Sequence, residues 1–216
     1  MVVRGCAPSI RTTIRYLRRI AILIPFVRIA FVPDSSRIAR EIVMIHIPLS
    51  VRPLFVRAGW HPVADGGSDA TAGEHPGAAI LREFDGLTIS VGPDDARGET
   101  CAATGLAFHA LEQKDEQILA WERALRTTII GIGEDDLGYQ YFFADELGRI
   151  FSTNCILDGV YLCGYSFGEA VERLLLGRQA TPLLLDGQAS IPYYGERLTR
   201  DDPRVMTAEQ LASVAR

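Results

Sequence analysis

Four apolar runs, at 127–132, 139–144, 149–153 and 160–163, follow one another with short links of 133–138, 145–148 and 154–159. A parallel connection needs a crossover of a dozen or more residues, usually a helix. These links are too short for that, so the runs must pair as an antiparallel meander. The chain of 216 residues is long enough for one domain with a real core plus extensions. The fold class that follows is α+β, a single domain with a central, mainly antiparallel sheet and helices packed against it.

The flanking segments supply the helices. Residues 50–58 read as a short helix: Ser50 can cap it, Pro53 is tolerated in the first turn and Gly59 can end it. Trp60 can then anchor that helix to the sheet, with His61 at a turn. Residues 64–77, rich in Gly, Asp, Ala and Pro, read as a loop. A helix over 78–84 puts Ile80, Leu81 and Phe84 on one face, and Gly86 stops it. Strands are expected at 87–91 and 104–108, separated by a polar, acidic turn at 93–99. A helix over 115–125 has Asp115 as its cap and Ile118, Trp121 and Leu125 on one side. A further helix covers 166–176. From residue 181 the pattern weakens to a tail with scattered apolar residues and a Pro192-Tyr-Tyr-Gly195 loop. It ends in a short helix at 208–215 that Thr207 and Gln210 can cap.

Charge divides the chain. Residues 1–43 hold eight arginines and two acids, a net of +6, whereas the whole chain is −5, leaving −11 on residues 44–216. An acidic body repels phosphates and attracts basic partners, so no direct nucleic-acid binding is expected. The first 43 residues form a basic extension, with compact sequence logic beginning near Met44. Within it the apolar stretch 17–33 is interrupted by Pro25 and Arg28 and is shorter than a bilayer span. A disordered extension ahead of the natural start is the simplest account. A targeting or membrane-surface segment over 11–33 is the alternative. The four cysteines, 6, 101, 155 and 163, show no C-x-x-C or zinc-like spacing. Reduced core cysteines in a cytoplasmic protein are expected, with no metal and no cofactor.

One motif points to catalysis. Gly164-Tyr-Ser-Phe-Gly168 is the G-x-S-x-G pattern of a serine-hydrolase elbow, placed between a strand-like and a helix-like run. A hydrolase also needs a histidine and an acid, which follow the serine in α/β-hydrolases. Here all four histidines, 46, 61, 75 and 109, precede it. The alternative uses every residue. Ser166 and Glu169 form an S-x-x-E capping box, with the glutamate reaching back to the Ser166 N–H. Phe167, Ala170, Val171, Leu174 and Leu175 then make an apolar stripe, and Gly177 takes the position after the helix. Ser166 is therefore expected to start a helix, and no catalytic residue is assigned.

Paired carboxylates at Asp135-Asp136 and Asp145-Glu146 lie on turns. Their spacing does not fit an EF-hand loop, so they read as solvated turn acids, or as groups that attract a basic partner. Gly131-Ile-Gly133 lacks the third glycine and following helix of a dinucleotide site. His75 and His109 are isolated.

Taken in order, four pieces resemble the third family of the SUKH superfamily of bacterial immunity proteins. They are Arg57-Ala-Gly-Trp-His-Pro62, Leu81-Arg-Glu-Phe-Asp-Gly-Leu-Thr-Ile89, Tyr139-Gln-Tyr-Phe-Phe-Ala-Asp-Glu-Leu-Gly-Arg-Ile-Phe151 and Gly164-Tyr-Ser-Phe-Gly-Glu-Ala-Val-Glu-Arg-Leu-Leu-Leu-Gly-Arg178. The match covers roughly residues 50–180, which gives an immunity domain over 44–180 and a tail over 181–216. It departs from the family at Asp85, where a second glycine is usual, and in the basic extension. The resemblance implies a non-catalytic, cytoplasmic protein that binds and blocks a cognate polymorphic toxin, often a nuclease or nucleic-acid deaminase. It carries over no binding residues. Carboxylates on loops suit the basic cleft of such a partner. The candidate contacts are Asp94, Asp95, Glu99, Glu134, Asp135, Asp136, Asp145 and Glu146.

Overall fold

The computed structural model describes residues 45–61, 73–92, 98–111, 116–155 and 158–214. They form an α+β fold with a mainly antiparallel eight-stranded sheet. Two short helices, α1 (Arg52–Arg57) and α2 (Pro76–Phe84), precede β1 (Thr88–Ile89) and β2 (Leu106–Phe108). Helix α3 (Glu116–Leu125) leads into the meander of β3 (Ile129–Asp135), β4 (Gln140–Asp145), β5 (Ile150–Asn154) and β6 (Val160–Gly164). Helix α4 (Phe167–Leu175) and β7 (Thr181–Leu184) follow. A hairpin of β8 (Ser190–Tyr193) and β9 (Glu196–Thr199) comes next, then β10 (Met206–Thr207) and α5 (Ala208–Val214). The sheet order is β1-β2-β3-β4-β5-β6-β7-β10, and β8–β9 stand apart as a second, two-stranded sheet. Among the described residues only β7 and β10 pair in parallel; every other adjacent pair is antiparallel.

Both faces of the sheet are covered, and the pleat explains how. Successive strand residues point to opposite faces. On β4, Phe142 and Ala144 enter a core shared with α1, α2 and α4, around Phe55, Phe84 and Phe167. Phe143 points the other way, into a core with Trp121 of α3 and Leu211 of α5. With both faces buried, β3 to β6 read as near-continuous apolar runs instead of alternating ones. A third, smaller cluster joins Leu184 of β7 to Ile191, Tyr193 and Leu198 of the β8–β9 hairpin.

Several local expectations change. Ser50 does not cap α1: the N-cap is Val51, with no side-chain bond, and the Ser50 hydroxyl instead donates to Glu172 of α4. Helix α2 begins at Pro76, inside the stretch read as loop, because the His75 imidazole caps it by accepting the Gly77 N–H at 3.0 Å. Trp60 packs against the core shared with the sheet and also ties α1 to α2, donating its indole N–H to Glu83 at 2.9 Å and packing on Phe55 and Phe84. The Asp115 cap lies outside the described residues. The largest difference is beyond residue 180. The segment read as a tail supplies β7 and β10 to the main sheet and all of the second sheet. The described parts of 44–180 and 181–216 therefore share one sheet and one core.

Candidate functional site

Ser166 has the backbone of an N-cap, φ −144° and ψ 163°, and its Oγ accepts the Glu169 N–H at 3.2 Å. The Glu169 carboxylate reaches back to the N–H of Tyr165 at 2.9 Å, one residue earlier than a simple capping box, while also holding Arg173 at 3.0 Å. Both glycines of the motif have packing roles. A Cβ on Gly164 would lie 2.6 Å from the Ala170 nitrogen, and one on Gly168 would lie 2.7 Å from the His46 carbonyl oxygen. Among the described residues no histidine is hydrogen-bonded to Ser166. His75 is held between Gly77 and the Thr128 carbonyl, and His109 lies 3.9 Å from Glu134.

The candidate carboxylates divide into structural and presented groups. Asp94 and Asp95 lie outside the described residues. Asp135 is buried, and its Oδ1 accepts the N–H groups of Tyr139 at 2.6 Å and Gln140 at 3.0 Å. Asp145 has no exposure at all. Its Oδ1 accepts the N–H groups of Leu147 and Arg149 at 3.0 and 2.9 Å, and its Oδ2 takes the buried Arg149 guanidinium at 2.6 Å. Neither is a solvated turn acid: both are buried. Both staple their own turn, because Asp at the first position can accept the amides the turn leaves unpaired.

Glu99 is exposed but committed to a two-pronged pair with Arg178 at 2.7 and 3.0 Å. That hydrogen bond holds its carboxyl below the usual range. Glu146 is exposed and accepts the Thr128 hydroxyl at 2.7 Å. Glu134 is half-buried, and Asp136 is exposed on the β3–β4 turn. The two turns sit at opposite ends of β4, so Asp136 and Glu146 are separated by a six-residue strand, about 17 Å. The acids therefore do not form one surface.

The β3–β4 end offers more than charge. Leu137 and Tyr139, which follow Asp136 on the same turn, are 72% and 51% exposed. The next residue, Gln140, faces Asn154 across the β4–β5 ladder, and both line a cleft of about 240 Å³. Ser152 and the rings of Tyr161, Tyr193 and Tyr194 complete most of its wall. Two of these phenols are tied down. Tyr161 donates to the Pro192 carbonyl at 2.5 Å, and Tyr193 to the Ala180 carbonyl at 3.1 Å. Burial raises the pKa of Tyr161 and Tyr193; at Tyr194, which keeps most of its surface exposed, partial burial and a hydrogen bond with Cys101 act in the same direction. Behind Ser152, Cys163 is fully buried, which pushes its thiol up to about 11.

The sequence reading missed this cleft. Its signal is Pro192-Tyr-Tyr-Gly195, which by composition reads as a loop and which carries the two-residue Tyr-Gly turn of a β-hairpin. Among the described residues no group of three or more His, Cys, Asp or Glu side chains is placed to hold a metal ion. No described helix is long and apolar enough to cross a membrane; residues 11–33 lie outside the described set. No family model, curated protein or solved structure matches this chain.

Proposed function

We propose that the chain is a non-catalytic, cytoplasmic immunity protein of the SUKH type that binds and neutralises a basic toxin domain, a nuclease or nucleic-acid deaminase. The observation that carries this reading is the β3–β4 turn, which presents Leu137 and Tyr139 beside Asp136. Large exposed apolar anchors next to carboxylates combine the desolvation that gives affinity with the charge that steers a cationic partner. The acidic balance of residues 44–216 supports the same sign of partner. The commitment of the Ser166 hydroxyl to its own helix removes the main reason for a hydrolase reading.

The test is co-expression with the C-terminal domain of a polymorphic toxin encoded in the neighbourhood of this gene. Rescue of growth and a stable complex are expected. Leu137→Ala and Tyr139→Ala should each weaken the complex by about tenfold or more. A toxin domain that neither binds nor is neutralised ends the proposal.

A further inference from the structure

The tyrosine-walled cleft is not used by the partner proposal, and its chemistry is selective. No charged side chain among the described residues lines it, in a chain where 23% of residues are charged. An ion entering it would shed water and meet no countercharge on the lining, which is unfavourable; Arg204, 5.9 Å from the Tyr193 ring centroid, is already paired with Glu196 and Asp202. The occupant is therefore neutral. One wall is aromatic, with Tyr193 and Tyr194 in edge contact at 4.9 Å. The floor is polar. Gln140 and Asn154 oppose each other on β4 and β5 and so project to the same side, and the buried Ser152 lies next along β5 on that face.

A carboxamide carries a donor and an acceptor at fixed spacing, which suits the fixed edge of a nucleobase. Tyrosine rings supply the matching stacking surface. A sugar presents rotatable hydroxyls that bind best to charged acceptors, and the described lining has none. The volume of about 240 Å³ falls below the roughly 300 Å³ of the smallest drug-sized pockets. It suits one base-sized ring.

A second observation points to the same place. Tyr194 sits at φ +45° in the two-residue turn between Tyr193 and Glu196, followed by Gly195 at φ +86°. Such turns favour Asn or Gly at that position, and a bulky aromatic there is strained. Strain of this kind collects at ligand sites. Here it holds a ring at the mouth of the cleft with 61% of its surface exposed. We propose that the cleft binds an uncharged nucleobase-bearing ligand, a nucleoside or free base, stacked on Tyr194 with its polar edge toward Gln140 and Ser152.

This proposal is independent of the toxin-binding one, and the two fail separately. The test titrates the full chain with adenosine, guanosine, cytidine and uridine, read by saturation-transfer NMR and tyrosine fluorescence. The 5′-monophosphates and methyl glucoside serve as comparison arms. At least one nucleoside should bind saturably with a Kd below about 1 mM, and its monophosphate at least about tenfold more weakly. Tyr194→Asn, which the turn accommodates, and Gln140→Leu should each weaken the nucleoside about tenfold. Thermal unfolding of both variants checks that the fold is intact. The proposal is overturned if no nucleoside saturates by about 5 mM. It is also overturned by a monophosphate that binds as tightly, by methyl glucoside binding in place of every nucleoside, or by nucleoside affinity unchanged in both variants.

Discussion

Asp145 and Asp136 show how little sequence distance separates a structural carboxylate from a presented one. Asp145 shares a buried pocket with Arg149, each satisfied by the other and by turn amides. Removing one partner leaves the other charge buried and alone, which costs about 3–5 kcal/mol. Asp145→Ala should therefore lower the urea midpoint far more than Asp136→Ala, whose exposed position predicts a change within about 0.5 kcal/mol. Ser166→Ala should cost about 1 kcal/mol, the loss of an N-cap, with Ser166→Asp recovering most of it. Labelling of Ser166 by a fluorophosphonate would contradict that capping role. The thiols separate by burial. Iodoacetamide at neutral pH should modify the exposed Cys155 in the native protein and reach Cys163 only on unfolding, as mass spectrometry can resolve. Because the native state holds the Cys163 proton up to about 11, the unfolded chain loses it first as pH rises from about 8.5. The contribution of Cys163 to stability should be complete below that point and fall away through about pH 11.

At the scale of elements, the meander was legible because its turns are written twice in the same code. Asp135-Asp-Leu-Gly138 and Asp145-Glu-Leu-Gly148 share Asp first and Gly last, the preference of a type I turn. In both, the glycine N–H donates to the aspartate carbonyl at 3.0 Å. That repeated pattern also marks Asp135 and Asp145 as turn staples, a signal the charge-based reading overlooked. The capping of α5 was equally legible: Thr207 and Gln210 exchange bonds at 2.8 and 3.2 Å. Strands β7 to β10 were not. The pairing of β7 with β10 joins Leu183 to Met206, far apart in sequence, and strands of two to four residues carry too little periodicity to detect. The junction of β6 and α4 gives a sharper prediction. Gly164→Ala places a methyl against the Ala170 backbone nitrogen, which has no flexible tip to yield. It should destabilise by about 1–3 kcal/mol, more than Ser166→Ala does at the neighbouring cap.

For the whole molecule, the two ends of the sheet differ in what they present. The β3–β4 end combines Leu137, Tyr139 and Asp136 with the mouth of the cleft. The other end has Glu146 bound to Thr128. If a cationic partner docks at the first end, Asp136→Lys should slow association several-fold and flatten its salt dependence, whereas Glu146→Lys should leave both unchanged. Stopped-flow mixing over a range of ionic strength reads both. The opposite ends follow from the antiparallel order already read in the sequence, but which acids each end presents was not legible there, because the burial of Asp135 and Asp145 arises only in the folded chain.

The outermost strands, β1 and β10, are two residues long apiece, and the four-residue β9 carries Glu196 and Arg197 on its exposed surface. Open ladder ends recruit other chains when they are long, flat and greasy. Those described here are short or charged, so crowded copies of this protein have little to zip onto, and fibre growth has no ready seed in the native state.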